Sequence, residues 1–406
     1  MGAGMDTLIV TPDKTGVVAD LVSTKPLTPP QFDVPLRLNM DYFDSLLHYC
    51  LENKCEDLVL LSGDPVSVMW ADAIHRLPGR ELNYKEVADL LNDLVKDPNA
   101  SSEVARAEPR DFNYSLRIDR TKSIRFRCVA TGCMVNGGMG LEILIRPVGK
   151  IVQSMDQLGI EPYIQENCVP SAGIVIVTGP TGSGKTTLQD SMVGKILTSV
   201  PAKRVITFNS PIENDLRDIP GRVGMVVQSE IGRPGFGAHL TSYEGALRNM
   251  LRRHPHAVVI GEARDRPTIE GALLSAMSSH PTYCTTHVTS THMTIPRMVD
   301  PFGPEDRVRM TNALVENVRL IVHQRLFPTA NGLGRVAARS ALAITNDMRD
   351  EAMRMPVDNL PSFLKAMTNE HGISLLKSVQ NLYEAGSIAE RTLHSIEQEL
   401  GEGRFK

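Results

Sequence analysis

Apolar and polar positions change period along the chain, and the changes mark its parts. From Asn39 onward, Phe43, Leu46, Leu47, Cys50 and Leu51 recur at helical spacing, and EDLVLLSG behind them has the make-up of a strand and its turn. Asn83 with Glu86 three residues later predicts a capped helix start, with Val87, Leu90, Leu91 and Leu94 as its buried stripe. FNYSLRI, SIRFRCVAT and LEILIRP predict strands of an antiparallel sheet. Together these make an α+β domain over residues 38–147.

Residues 148–170 carry Gly149, Gly159, Pro162 and Pro170 and read as a hinge-like linker. Beyond them GIVIVTG is a fully apolar, β-branched run, as a strand buried on both faces requires. RVITF and AVVIGE repeat that signature, with YCTTH as a shorter strand, and a helix is predicted from about Lys185 to Leu197. Strand, helix and strand in that order predict an α/β core over residues 171–335. From 336 to 406 the chain reads as helical. Leu375, Leu376, Val379, Leu382 and Tyr383 form one stripe, and Ser387 with Glu390 predicts a capping box for a last helix with Leu393, Ile396 and Leu400. Residues 1–37 read as a leader, since KPLTPPQFDVP holds four prolines in eleven residues.

Composition narrows the class. A chain of 406 residues is long for one core, and 42% hydrophobic with 22% charged residues describes a globular protein rather than a disordered one. A formal charge of −4 gives no support to a nucleic-acid partner. Cys50, Cys55, Cys128, Cys133, Cys168 and Cys284 lack zinc-knuckle spacing and read as reduced, mostly buried thiols. The apolar runs are strand-sized, too short for a membrane helix. The start, MGAGMDTLIV, lacks the features of a signal peptide, and Asp6 breaks the N-terminal acylation pattern. The expected address is the cytoplasm.

The chemistry concentrates at GPTGSGKTT, residues Gly179, Pro180, Thr181, Gly182, Ser183, Gly184, Lys185, Thr186 and Thr187, which fits the phosphate-loop pattern G-x-x-x-x-G-K-[ST]. Its glycines let successive N–H groups turn toward a phosphate at a helix N-terminus. Lys185 is expected to reach the β- and γ-phosphates of ATP, and Thr186 to ligate Mg²⁺. AVVIGEARD lies roughly eighty residues further on and ends a buried strand with an acid. Glu262 is expected to hold the metal through water or to act as base on the attacking water.

The segment after Glu262, with TIEGALLSAMSSHPTYCTTH, resembles the PilT-type secretion ATPases, the hexameric motors of type IV pili and of type II and IV secretion. His280 and His287 fall on the places of that family's His box. Ala246, Leu247, Arg248, Leu251, Arg252 and Pro255 match its A-L-R-x-x-L-R-x-x-P run, and TIPRMVDPFGPEDR is similar to its next helix and loop. The first domain resembles the family's PAS-like domain, with Ile124-Arg125-Phe126-Arg127 in the place of A-R-F-R. LPSFLKAMTNEHGISLLKSVQNLYEAGSI resembles its C-terminal helices. The likeness covers about residues 38–400 and leans toward the DotB- and TraJ-like ATPases of type IVB secretion and conjugation.

The resemblance implies a RecA-like core, a homohexamer and recruitment by an inner-membrane secretion or pilus apparatus. It implies that Arg248 and Arg252 act as fingers on the γ-phosphate, that Arg125 and Arg127 clamp the nucleotide, and that His280 and His287 sense the γ-phosphate. The family's E-D-P-I-E box departs here to Asn209-Ser210-Pro211-Ile212-Glu213, so only Glu213 keeps a charge of the original set. Either the missing acid slows turnover, since general-base help is worth about 10²–10⁴-fold, or Glu262 carries that role and Asn209 orients water. The functions in play are a hexameric ATPase motor of a secretion, conjugation or pilus apparatus, and a nucleotide-gated structural subunit that hydrolyses weakly. A nucleic-acid translocase and a small-molecule kinase have less in the sequence to support them.

Overall fold

The computed structural model describes residue 32 and residues 37–70, 73–119, 123–148, 152–232, 238–332 and 334–400. Residues 1–31 and 33–36, and with them nearly all of the proline-rich stretch, lie outside the described residues. The chain divides into two compact units. One comprises the described parts of residues 1–110 with 128–146, the other residues 111–127 with 147–406.

The first unit opens with helix α1 (Met40–Glu52), followed by β1 (Asp57–Leu61), β2 (Ser67–Trp70) and β3 (Ala73–Arg76). Next come α2 (Tyr84–Val95), α3 (Ala100–Ala105), β4 (Arg110–Arg117), β5 (Ser123–Val135) and β6 (Gly138–Val148), with residues 111–117 of β4 and 123–127 of β5 belonging to the second unit. The six strands form one sheet in the order β3-β2-β1-β6-β5-β4. The expected capping box closes α2 from both sides: Asn83 accepts from the Glu86 N–H, and the Glu86 carboxylate accepts from the Asn83 N–H. Val87, Leu90, Leu91 and Leu94 are buried as the stripe requires.

The second unit holds a seven-stranded sheet in the order β13-β12-β7-β11-β10-β8-β9. Helix α4 (Pro162–Asn167) lies inside the stretch read as a linker. It leads to β7 (Gly173–Thr178), α5 (Lys185–Leu197), β8 (Arg204–Asn209) and β9 (Met225–Glu230). Then follow α6 (Tyr243–Met250), β10 (Ala257–Glu262), α7 (Arg266–Met277) and β11 (Pro281–Thr286). Helices α8 (Thr294–Met298) and α9 (Pro304–Asn317) precede β12 (Val318–Pro328) and β13 (Arg335–Ala343). The chain continues with α10 (Asn346–Arg354), α11 (Leu360–His371), α12 (Leu375–Glu384) and α13 (Glu390–Glu399).

Alternation along β7 explains why the run is wholly apolar. Ile174 and Ile176 enter one core with α6, α7 and α9, while Val175 and Val177 enter the other with α5. All its neighbours are parallel: β11 on one side, β12 on the other. Strands β12 and β13 pair antiparallel.

Two sequence expectations need correction. The core does not end at 335, because Arg335–Ala343 forms β13 and extends the sheet. Its alanines favour a helix locally, and pairing with β12 overrides that preference. The capping box at Ser387 does not form. Instead the Ser387 N–H donates to the Leu382 carbonyl and Gly386 takes φ +67°, so both residues close α12. Helix α13 begins at Glu390 with Ala389 as its uncapped start.

Candidate nucleotide-hydrolysis site

The phosphate loop joins β7 to α5 at the carboxyl edge of the sheet. Gly179 has φ +149°, and a Cβ there would sit 2.4 Å from the Gln324 carbonyl, so only glycine fits. Gly184 takes φ +79° as the cap of α5. The loop rests on β12: the Gln324 amide donates to the Ser183 carbonyl at 2.6 Å, and Gln324 accepts from Arg339 at 2.8 Å. Arg339 in turn reaches Glu161 at 3.1 Å, so the seat of the loop is tied to the chain on both sides of the core.

A cavity of about 330 Å³ opens over the loop. Thr181, Gly182, Ser183, Gly184, Lys185, Thr186 and Thr187 form its floor. Asn209, Ser210, Pro211 and Glu213 from the end of β8, Glu262 from β10, and His287 after β11 form its walls. Gly179 and Pro180 sit at the root of the loop, where their carbonyls accept the Lys185 ammonium at 2.9 and 3.0 Å. Burial pulls the Lys185 pKa down, while Glu262 and Glu213 oppose that shift.

His287 stands between the acid and the lysine. Its Nε2 lies 3.3 Å from Glu262 Oε1, and its Nδ1 lies 3.4 Å from Lys185 Nζ. An ammonium can only donate, so Nδ1 accepts and Nε2–H points at Glu262. Glu262 occupies the end of β10 just past a register shift, and the Gly261 carbonyl accepts from the Thr285 hydroxyl at 2.6 Å. The backbone that aims the carboxylate is thereby fixed.

Other expected site residues fall elsewhere in the chain. His280 precedes β11, and the register of Pro281 with Gly173 puts it at the amino edge of the sheet. His280 and His287 bracket a six-residue strand, which separates them by on the order of 20 Å at 3.3 Å per residue. His280 therefore cannot sense a phosphate bound to its own loop. Arg248 on α6 is exposed and pairs with Glu244, and Arg252 is exposed in the turn before β10. Neither lines the cavity of its own chain. Arg125 bonds Glu230 at 3.0 Å, and Glu230 lies beside Asn209 in the register of β8 and β9. Arg127, exposed, lies 3.9 Å from Asp111.

Sequence reading missed Gln324, and also Gln189 and Thr285, which line the cavity. The signal available for Gln324 was HQR inside the apolar run LIVHQRLF, since polar residues in a buried strand need a partner. It also missed Asp190, buried on α5, whose carboxylate accepts the Asn214 amide at 2.6 Å. Asn214 follows Glu213, so this bond ties the Glu213 segment to the helix behind the loop. Burial raises the Asp190 pKa to about 7, with Asn214 opposing and Glu213 adding to the rise. The folded protein thus holds this proton more tightly than the unfolded chain. The resulting stability is present below about pH 4 and is lost as pH climbs to about 7. An Asp190→Asn variant should flatten that fall, by roughly 4 kcal/mol at 1.36 kcal/mol per unit, in denaturation measured from pH 4 to 8.

The profile of the family described as Type II/IV secretion system protein matches residues 71–369. This chain belongs to that family. It is 30% identical over 315 residues to the type IV pilus retraction ATPase PilT of Pseudomonas aeruginosa, covering 75% of this chain and 85% of that protein. It is 28% identical over 335 residues to a twitching motility protein of Neisseria gonorrhoeae, covering 82% of each. Among solved structures, the Legionella pneumophila ATPase DotB superposes with a TM-score of 0.81 at 29% identity, over 91% of this chain and 98% of that one. The pilus retraction motor PilT with bound ADP gives a TM-score of 0.72 at 25% identity, over 87% and 96%. The chain is a PilT-like secretion ATPase with a DotB-like relation. Among the described residues, no helix is long and apolar enough to cross a membrane.

Proposed function

We propose that the chain works as a Mg²⁺-dependent ATPase motor in a homohexameric ring. It would drive a type IVB-like secretion or conjugation apparatus from the cytoplasmic face of the inner membrane, held there by partner proteins. The observation that carries this reading is the division of the machinery. Lys185, Glu262 and His287 converge on one cavity, while Arg248 and Arg252 point to solvent away from it. Arginines exposed in this way are available to a neighbouring subunit's nucleotide.

The donor set fits a nucleoside triphosphate. Ser183 has a buried hydroxyl oxygen without a partner, and Lys185 can leave two carbonyls for phosphate oxygens. Thr186 and Glu262 would hold Mg²⁺, which binds through one or two protein oxygens, waters and phosphates, and which when bound draws charge from the phosphates. Glu262 takes the proton of the attacking water, His287 holds its carboxylate in place, and Asn209 and Ser210 orient that water. Arg125, bonded to Glu230 beside Asn209, would clamp the nucleotide from that side.

Likeness to DotB over nearly the whole of both chains favours the secretion reading, and identity to PilT keeps a pilus retraction motor as the second. The test is hydrolysis per chain against protein concentration, with assembly followed by sedimentation. Turnover that rises with ring formation supports the motor. Equal turnover by monomers and rings removes it, and rings that bind ATP with negligible turnover identify a nucleotide-gated structural subunit.

A further inference from the structure

Two buried polar residues stand behind the phosphate loop on neighbouring strands. Gln324 of β12 and Arg339 of β13 are register partners, 3% and 4% exposed. We propose that both are positioning residues for the nucleotide: Arg339 decides which end of the Gln324 amide faces the loop, and Gln324 thereby sets the direction of a loop N–H. This rests on the cavity being the ATP site, and not on the ring or the apparatus.

The orientation of the amide follows from donor chemistry. A guanidinium only donates, so the atom of Gln324 that meets Arg339 Nε at 2.8 Å is the amide oxygen. The amide NH₂ is left to face the loop, where the Ser183 carbonyl accepts it at 2.6 Å. Were the amide turned over, donor would face donor at one end and acceptor would face acceptor at the other. Arg339 is itself braced. Its Nη1 reaches Glu161 at 3.1 Å and the Gly159 carbonyl at 3.2 Å, and its Nη2 reaches the Leu158 carbonyl at 3.3 Å. A lysine in this place would offer one point charge and no such fork.

The effect reaches the cavity through peptide geometry. In a trans peptide C=O and N–H point in opposite directions. The bond that draws the Ser183 carbonyl toward β12 therefore turns the Gly184 N–H away from β12. Gly184 lies on the cavity floor at the N-terminus of α5, where N–H groups meet phosphate. At the start of the loop, the main-chain carbonyl of Gln324 stands so close to Gly179 that no Cβ fits between them. One residue thus fixes both ends of the loop, with its carbonyl at the start and its amide at the end.

The test uses the full chain, with affinity for a fluorescent ATP analogue, KM, kcat and Tm read on each variant. Gln324→Glu keeps the shape and the bond to Arg339 but loses the donor, so it is expected to bind the analogue about tenfold or more weakly. KM should rise with it and kcat change far less, because loop N–H groups hold phosphate alike in the ground and transition states. Arg339→Lys should show the same split. The double variant should lose no more than the worse single one, since both changes break one chain of bonds. Val379→Ala, a buried residue of α12 clustered with Phe327 and Ala338, reports loss of stability alone and should keep its affinity. Wild-type affinity in Gln324→Glu overturns the proposal, as does a loss that Val379→Ala shares at equal Tm. Losses that sum in the double variant overturn the action of Arg339 through Gln324. A wild-type chain that binds no analogue removes the nucleotide reading, and this proposal with it.

Discussion

Arg248→Ala is expected to lower steady-state hydrolysis by about 10³–10⁵-fold while ATP still binds. A guanidinium on the γ-phosphate stabilises charge that spreads over three oxygens during transfer, and it does little for the bound ground state. In the subunit itself Arg248 pairs with Glu244, both exposed, so this pair contributes little to stability and the fold should survive its loss. Mixing decides where the arginine acts. Combined Arg248→Ala and Glu262→Gln chains form some interfaces that unite an intact Glu262 with an intact Arg248 from the neighbour. Activity well above either variant alone places the finger in trans. Activity no higher than the average of the two would show that Arg248 does not work across subunits. Arg252→Ala belongs in the same series, since it faces solvent one turn further on.

Glu262→Gln is expected to reduce turnover by about 10²–10⁴-fold with ATP affinity nearly kept. Glutamine has the shape of the acid and can still accept from His287 Nε2–H, so the wall of the cavity stays in place. What disappears is the proton acceptor and one negative charge beside Lys185. Because Glu262 favours the charged form of Lys185, its removal should also let the amine lose its proton at lower pH. Nucleotide affinity of the variant would then fall earlier as pH rises, which a titration with a fluorescent ATP analogue can read. Turnover in Glu262→Gln close to wild type would move the base role to another group, with Glu213 the next acid on the cavity wall.

Much of this site was legible because its information is local. The loop is one continuous stretch, and strand, loop and helix run as the glycines and apolar residues require. Glu262 was legible as an acid ending an apolar strand. The rest depends on distance in space that spacing conceals. Seven positions separate His280 from His287, but an extended strand lies between them and carries them to opposite edges of the sheet. The role of Gln324 needed the pairing of β12 with β7, which no short window contains. Strand β13 was hidden for a different reason: RVAARSALA lacks clean alternation because most of it is covered on both faces, and its alanines speak for a helix.

The order of the sheet has a consequence for synthesis. The strand that seats the phosphate loop is made about 140 residues after the loop itself, and its antiparallel partner later still. While the chain grows, β7 has one side of its hydrogen-bonding edge open and Ile174 to Val177 only partly covered. An apolar strand with an open edge is a template for wrong pairing. Competence to grip ATP therefore arrives late, once residues up to about Ala343 have left the ribosome, and until then the growing core is the stretch with most need of a chaperone.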